Sequence, residues 1–181
     1  HRELWHRGRR RYAVWLLRVD VPAVRERQSL VIEVLREHGL APAVAEPHVT
    51  IFTPGFPTRH PCFDDDVHEE ALAHQERVLR EPPLVRPRLA IGGANAFLSC
   101  VYLQVHESQG ALLDWRERLQ RHGHEVGRQH YVPHLTVAPF GDSRPTAPIA
   151  AALRPLRDAP LIVVEPEAIE LVELDAWDGA S

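Results

Sequence analysis

Apolar and polar residues alternate in two short stretches of the chain that have nearly the same sequence. Glu46–Ile51 reads EPHVTI, and Val132–Val137 reads VPHLTV. Val, Ile and Thr favour strands, and residues two apart in a strand point to the same face. We therefore predict two strands, each with a His and a Thr on one face and aliphatic residues on the other. Such a polar face is typical of a cleft, and its repetition favours a functional role over ordinary packing.

The hydrophobic pattern of the remaining chain predicts further strands and helices around these two motifs. Strands are expected at residues 12–19, about 48–53, 88–91 with a continuation at 96–98, 100–105, 134–138, 161–164 and 168–174. Helices are expected at residues 22–38, 67–80, 108–122 and 145–158. Asp20 is the expected cap of the first helix. Leu112, Leu113, Trp115 and Leu119 are the expected core residues of the third helix.

Each motif strand follows one predicted helix and precedes another, and the two copies lie 86 positions apart. This plan suggests an α+β fold with two sheet lobes related by an approximate two-fold, and with the motifs lining the cleft between them. Thr53–Pro61 is rich in Pro and Gly and is predicted to be a loop beside the first motif. Gly92 and Gly93 are expected to mark a bulge or bend.

Residues 1–11 contain five arginines and are expected to form a basic leader that precedes a single domain at 12–181. The leader could be solvated, or it could act as a basic arm for an RNA backbone. The acidic run Asp64–Asp66 invites a metal site, but charge at the positive N-terminal end of a helix is the simpler account.

Composition limits the classes of function that this chain can serve. A formal charge of −4 argues against bulk coating of nucleic acid, so any such contact should be local. The sequence has no apolar run of about 18 residues and no signal-peptide pattern, which favours a cytoplasmic protein without membrane contact. Two cysteines without CxxC spacing are expected to be reduced thiols. The 12 histidines show no metal-ligand spacing, so we expect no metal or cofactor.

Two opposed His-x-Thr strands suit displacement at phosphorus. One imidazole can act as a base on the attacking water or hydroxyl, while the other acts as an acid on the leaving oxygen. Thr50 and Thr136 can donate hydrogen bonds to the non-bridging phosphate oxygens. The residues leave open whether His48 or His134 is the acid.

The duplicated His-x-Thr resembles the signature of the two-histidine (2H) phosphoesterase superfamily, the LigT-like or 2′-5′ RNA ligase proteins. The resemblance covers most of the chain and implies a bilobal α+β fold with antiparallel sheets inside and helices outside. It implies a hydrolase that opens RNA or nucleotide 2′,3′-cyclic phosphate ends to a 2′-phosphate, or that joins RNA ends in reverse. It also assigns catalysis to His48 and His134, and phosphate binding to Thr50 and Thr136.

Further substrate contacts are expected around the cleft. Phe56 and Tyr131 could stack on a base, although Tyr131 could equally be a packing residue. Close relatives often carry an Arg shortly after the second motif, where this chain has Ala138, Pro139 and Phe140. Arg59 or Arg128 could replace it, or the substrate preference could differ.

The sequence also allows three alternative functions. The chain could be a non-catalytic module that binds nucleotide or RNA with the same fold. It could also act on another cyclic phosphate, such as that of ADP-ribose. A metal-dependent hydrolase is disfavoured by the scattered histidines. We expect a monomer, because the cleft would be complete within one chain.

Overall fold

Two four-stranded sheets form the framework of the computed structural model, which describes residues 5–40, 46–127, 130–139 and 147–176. The strands are β1 (Arg11–Arg18), β2 (His48–Thr58), β3 (Asp66–His68), β4 (Leu89–Ala96), β5 (Cys100–His106), β6 (His134–Pro139), β7 (Ile162–Val164) and β8 (Ile169–Asp175). The main helices are α1 (Pro22–Glu37), α2 (Glu69–Val78), α3 (Ala111–Gln120) and α4 (Ala147–Ala152), and α4 is followed by a 3-10 turn at Arg154–Leu156. The expected α+β class with two sheet lobes is confirmed.

The first sheet has the order β3-β2-β1-β8, and the second has the order β6-β5-β4-β7. Neighbouring strands are antiparallel, apart from the parallel pair of β2 and β3. The register of β4 against β5 shifts between Ile91 and Ala94, so Gly92 and Gly93 form the predicted irregularity.

The two sheets contain the same β-α-β unit, which is β1-α1-β2 in the first and β5-α3-β6 in the second. Helix α1 packs against β6, and helix α3 packs against β2. Each unit therefore covers the motif strand of the other unit. This exchange joins both sheets in one hydrophobic core, which includes Leu17 and Val49 from the first sheet and Leu103 and Leu135 from the second.

Strand β2 continues beyond its predicted end, to Thr58, so the prediction of a loop at Thr53–Pro61 is wrong over most of its length. Residues 56–58 pair with β3, and Phe56 is 1% exposed. Gly55 has a φ of 116°, and a Cβ at this position would lie 2.1 Å from the backbone oxygen of Asp65. The Pro and Gly residues therefore lie within a strand that passes close to the neighbouring backbone at Asp65, which a local count of Pro and Gly residues cannot reveal.

The predicted helix starts at Asp20 and at the acidic run are also corrected. Val21 occupies the cap position of α1 without a side-chain bond, and the Asp20 carboxylate instead binds the Arg25 guanidinium. Helix α2 begins at Glu69, after β3, and His68 caps it by accepting a hydrogen bond from the Glu70 amide. The start predicted for the fourth helix, at Pro145, lies outside the described residues.

The acidic run Asp64–Asp66 binds arginines of the N-terminal segment and does not lie at the start of a helix. The Arg9 guanidinium donates two hydrogen bonds of 2.7 Å to the Asp65 carboxylate and also contacts Asp66. It lies over the Phe56 ring at 3.7 Å from the centroid. Arg7, Arg10 and Arg11 also pair with carboxylates. The described part of the predicted leader is thus packed against the domain, and its arginines are engaged within the chain.

No helix among the described residues combines the length and the apolar character needed to cross a membrane.

We predict that Arg9→Gln lowers the free energy of unfolding at pH 7 by about 1–3 kcal/mol, because it removes the cation that is paired with the largely buried carboxylates of Asp65 and Asp66. The hydrogen bond from Arg9 lowers the pKa of Asp65. Burial would raise the pKa of Asp66, but backbone amides and Arg9 outweigh it, so that this pKa is lowered too. A lowered folded-state pKa stabilises the fold above the unfolded pKa, and this contribution is lost as the pH falls through the folded value.

Urea unfolding of wild type and Arg9→Gln should therefore differ at pH 7 and converge as the pH falls below 3.8, the usual value for an aspartate. Arg10→Gln is the matched control, since its side chain is 77% exposed. An equal loss for both variants at pH 7, or a difference that does not change with pH, would contradict the proposed role of Arg9.

Candidate active site

The two motif strands show the same alternation of burial. Val49 and Ile51 are fully buried in β2, and Leu135 and Val137 are buried in β6. The His and Thr of each motif are half-buried on the opposite strand faces. The aliphatic residues therefore anchor each strand to the core and leave a polar face towards the cleft, as the alternation predicts.

Strands β2 and β6 lie against each other where the two sheets meet. A cavity of about 600 Å³ opens at this junction and is lined by Thr50 from the first motif and His134 from the second. His48 and Thr136 do not line this cavity. Each lies two positions from the lining residue of its strand and hence on the same face of that strand. The cavity is thus lined by one residue of each motif, with the other residue of each motif on the same strand face.

Both motif histidines are oriented by the same hydrogen bond. The His48 Nδ1 lies 2.9 Å from the Glu46 backbone oxygen, and the His134 Nδ1 lies 2.7 Å from the Val132 backbone oxygen. A carbonyl oxygen can only accept, so Nδ1 must carry the proton in both rings. In the neutral state the lone pair is then on Nε2, and this atom is the one available for proton transfer.

The residues across the neighbouring strands differ between the two motifs. Arg18 lies opposite His48 in the β1–β2 pair, whereas Gln104 lies opposite His134 in the β5–β6 pair. Directly opposed residues share a sheet face, so Arg18 places a positive charge beside the first motif. Its guanidinium donates to Glu170 at 2.9 Å and also binds Glu46.

The second motif has aromatic and thiol neighbours instead. The rings of Phe97 and Tyr102 contact His134 edge-on, with centroids 5.1 and 5.6 Å away. Burial raises the pKa of the Cys100 thiol, which forms side-chain hydrogen bonds with Ser99 and Thr136. Cys100 is therefore a neutral hydrogen-bonding partner of the second motif threonine at neutral pH.

An ion pair between Arg116 of α3 and Glu125, which follows the helix, connects the first motif to the second lobe. The Arg116 guanidinium binds the Glu125 carboxylate through both nitrogens, one at 2.9 Å, and donates to the Ile51 backbone oxygen. It stacks over the Tyr131 ring at 3.9 Å. The Tyr131 hydroxyl donates to the Thr50 backbone oxygen at 3.1 Å. Burial raises the pKa of Tyr131, so its hydroxyl remains a donor.

The structure also shows where the other predicted substrate-contact residues lie. Tyr131 lines the cavity, but one face of its ring is covered by Arg116 and its hydroxyl is engaged. Phe56 is buried beside Trp5 and Tyr12 and does not line the cavity. Arg59 also lies away from it, with its side chain 78% exposed and paired to Glu69. Arg128 lies outside the described residues.

Sequence reasoning missed Arg116 and Phe97. A signal for Arg116 was present, because it lies on the apolar face of α3 with Leu112, Trp115 and Leu119, whereas the predicted core residue Leu113 is 59% exposed. Phe97 was expected to continue a strand, but β4 ends at Ala96, and Phe97 begins the turn to β5. Within the described residues, no three His, Cys, Asp or Glu side chains are grouped to hold a metal ion.

We predict that Arg116→Gln lowers the free energy of unfolding by about 3 kcal/mol, because it leaves the Glu125 carboxylate largely buried and unpaired. Urea unfolding of Arg116→Gln, Glu125→Gln and the double variant provides the test. The double variant should lose clearly less than the sum of the single losses, since the second change removes the unpaired charge. Additive losses would show that the ion pair does not couple the two positions.

Comparison with known proteins agrees with this fold. A crystal structure of the MHV ns2 PDE domain aligns with a TM-score of 0.61 and 17% sequence identity, over 91% of this chain and 99% of that chain. At this identity the likeness shows the fold. A search of curated protein sequences gave no match. The sequence matches the 2′-5′ RNA ligase superfamily over residues 20–176, which include both motifs. The chain therefore belongs to the 2′-5′ RNA ligase superfamily, the two-histidine phosphoesterases.

Proposed function

We propose that this protein is a phosphodiesterase that opens the 2′,3′-cyclic phosphate at RNA or nucleotide ends and leaves a 2′-phosphate. The observation that carries the proposal is the repeated Nδ1 hydrogen bond, which leaves Nε2 of both His48 and His134 available for proton transfer. The substrate partner is thus an RNA or nucleotide with a cyclic phosphate terminus. One chain contains both motifs, and we propose that it acts as a monomer.

The reaction needs one base and one acid on opposite sides of phosphorus. One neutral imidazole accepts a proton from water at Nε2 as the water oxygen bonds to phosphorus. The bond from phosphorus to the ribose 3′ oxygen breaks, and the second imidazole, protonated at Nε2, donates its proton to that oxygen. The product carries a 2′-phosphate and a 3′-hydroxyl. The Nδ1 hydrogen bond is the same in both histidines, so either ring can serve as the acid or as the base.

The motif threonines supply hydrogen bonds to the phosphate. Thr50 lies beside the junction of the lobes, and Thr136 lies on the same strand face as His134. Hydroxyl donors from both strands can stabilise the charge that builds on the non-bridging oxygens in the transition state. The cation nearest in register to the first motif is Arg18, although Glu46 and Glu170 already engage it.

The comparisons support this chemistry at the level of the family. Membership of the 2′-5′ RNA ligase superfamily favours reactions at phosphodiesters of RNA ends, and the aligned structure is named as a PDE domain. The same site could accept a ribose 5′-hydroxyl in place of water: its oxygen bonds to phosphorus, the bond from phosphorus to the 3′ oxygen breaks, and a 2′-5′ linkage forms. Two alternatives must be distinguished from this proposal by experiment. One is a module that binds nucleotide or RNA without turnover, and the other is a phosphodiesterase for a different cyclic phosphate, such as that of ADP-ribose.

We predict that the wild-type protein opens the cyclic phosphate of a short RNA in the presence of EDTA, because the two imidazoles supply both proton transfers. Phosphorus NMR follows the ring opening and identifies the 2′-phosphate. His48→Ala and His134→Ala should each lower kcat by about 10²–10⁴-fold, the usual contribution of one placed acid or base. Thr50→Val and Thr136→Val should have smaller effects on kcat.

His38→Ala is the matched control, since His38 is exposed at the end of α1 and its Nδ1 also contacts a backbone oxygen. It should retain wild-type turnover. Binding of the RNA without turnover by the wild type would favour the binding-module alternative. Full activity in either motif variant would contradict the two-histidine mechanism.

A further inference from the structure

The turn between β4 and β5 forms a wall of the cavity beside His134. The Phe97 amide donates to the Cys100 backbone oxygen at 2.8 Å and closes this turn. Phe97, Leu98 and Ser99 all line the cavity that Thr50 and His134 also line. A substrate bound at the two motifs would therefore meet the turn directly.

The Phe97 ring has a fixed orientation relative to His134. It stacks on Tyr102 with ring centroids 4.0 Å apart and an interplanar angle of 18°. It is perpendicular to the His134 ring, at an interplanar angle of 88°. Tyr102 is itself only 7% exposed, so it provides a rigid backing for Phe97. A ligand that stacks on this ring costs little side-chain entropy, because the ring is already ordered.

Apolar surface continues from Phe97 along the cavity wall. Among the large hydrophobic side chains that the structure describes, Leu98 is the most exposed, at 89%, and Val132 is 42% exposed. Both line the same cavity as Phe97. Exposure of this much apolar surface is unfavourable in water and is typical of a surface that a ligand covers. Phe97, Leu98 and Val132 carry no charge, and the charged Arg116 and Glu125 that also line the cavity are paired with each other. This part of the wall therefore suits an uncharged group rather than a further phosphate.

We propose that Phe97, Leu98 and Val132 form the binding site for the nucleobase of the substrate nucleotide. The inference rests on the proposed function and deepens it. A base and its 2′,3′-cyclic phosphate are joined to one ribose, so the base must lie within one sugar of the reacting phosphorus. The cavity of about 600 Å³ lies in the size range of sites that bind a single small ligand.

This placement gives the site a defined specificity. Stacking on an aromatic ring tolerates any base, because every base has a flat π face. The site should therefore discriminate strongly between a nucleotide and a ribose phosphate without a base, and weakly among the four bases. Affinity for longer RNA should depend chiefly on its terminal nucleotide.

The test compares two substrates, adenosine 2′,3′-cyclic phosphate and the 2,3-cyclic phosphate of 1-O-methyl ribose, which lacks the base. The value of kcat/KM is measured for wild type, Phe97→Leu, Leu98→Ser and the control Leu113→Ser, whose leucine is exposed on α3 outside the cavity. Circular dichroism verifies that each variant is folded.

Phe97→Leu should lower kcat/KM for the nucleotide by about tenfold, the effect of losing one stacked base. Leu98→Ser should lower it by a smaller factor. Both variants should lower kcat/KM for the substrate without a base by a clearly smaller factor than for the nucleotide, and the control should change neither value. An equal loss on both substrates would show that Phe97 only orients His134, and no loss on either would place the base elsewhere. Both results overturn the proposal.

If the wild type turns over neither substrate, the proposed function fails, and binding then decides the inference by itself. Calorimetry with adenosine 2′-phosphate and ribose 2-phosphate measures the contribution of the base. Wild type should bind the nucleotide about tenfold more tightly, and Phe97→Leu should lose that advantage. Equal binding of both ligands by the wild type, or an advantage that Phe97→Leu retains, would overturn the assignment.

Discussion

One hydrogen bond, made twice, determines which ring nitrogen each motif histidine presents to a substrate. In both motifs the acceptor is the carbonyl of the residue two positions earlier, and a proline lies between that residue and the histidine. Proline fixes its own φ and restricts the preceding residue to extended conformations. The proline of each motif therefore favours the backbone conformation in which the histidine Nδ1 bonds to this carbonyl. Pairing within the sheet maintains that conformation. The Pro47 oxygen also accepts from the Val19 amide at 3.0 Å, which anchors this point to β1.

Two such histidines form a useful pair only if the lobes keep a constant relative position. The exchange of helices provides this constraint, because α1 covers β6 and α3 covers β2. Arg116 adds a polar link at the motif itself, since it reaches from α3 to the backbone of Ile51. The stability of the fold and the geometry of the site therefore depend on the same interface between the lobes.

Local patterns were sufficient to predict the motif strands and the helices α1 and α3. The alternation around His48 and His134 predicted both the strand type and the buried face, since it reports directly on strand geometry. The breaker-rich stretch around Gly55 was misassigned because its strand depends on β3, a partner that the local sequence does not reveal. The acidic run was misassigned for the same reason, since Arg9 lies 56 and 57 positions from its partners.

The strand face on which each motif places its His and Thr was predictable from the sequence, whereas contacts between distant segments were not. Phe97 shares a cavity with Thr50 only because β4 and β5 place their turn beside β6. Arg59 was a candidate to replace the arginine expected after the second motif, yet it lies just beyond the end of β2 and pairs with Glu69. Such pairings depend on tertiary structure and leave little trace in residue spacing.

Nitrogen-15 NMR of the histidine side chains tests the central claim most directly. Long-range proton–nitrogen correlations at a pH where the rings are neutral report which nitrogen carries the proton. The account predicts that His48 and His134 both carry it on Nδ1, and that added adenosine 2′-phosphate shifts the Nε2 resonances of both. A proton on Nε2 of either neutral ring, or a ligand that perturbs neither histidine, would contradict the shared orientation and with it the two-histidine site.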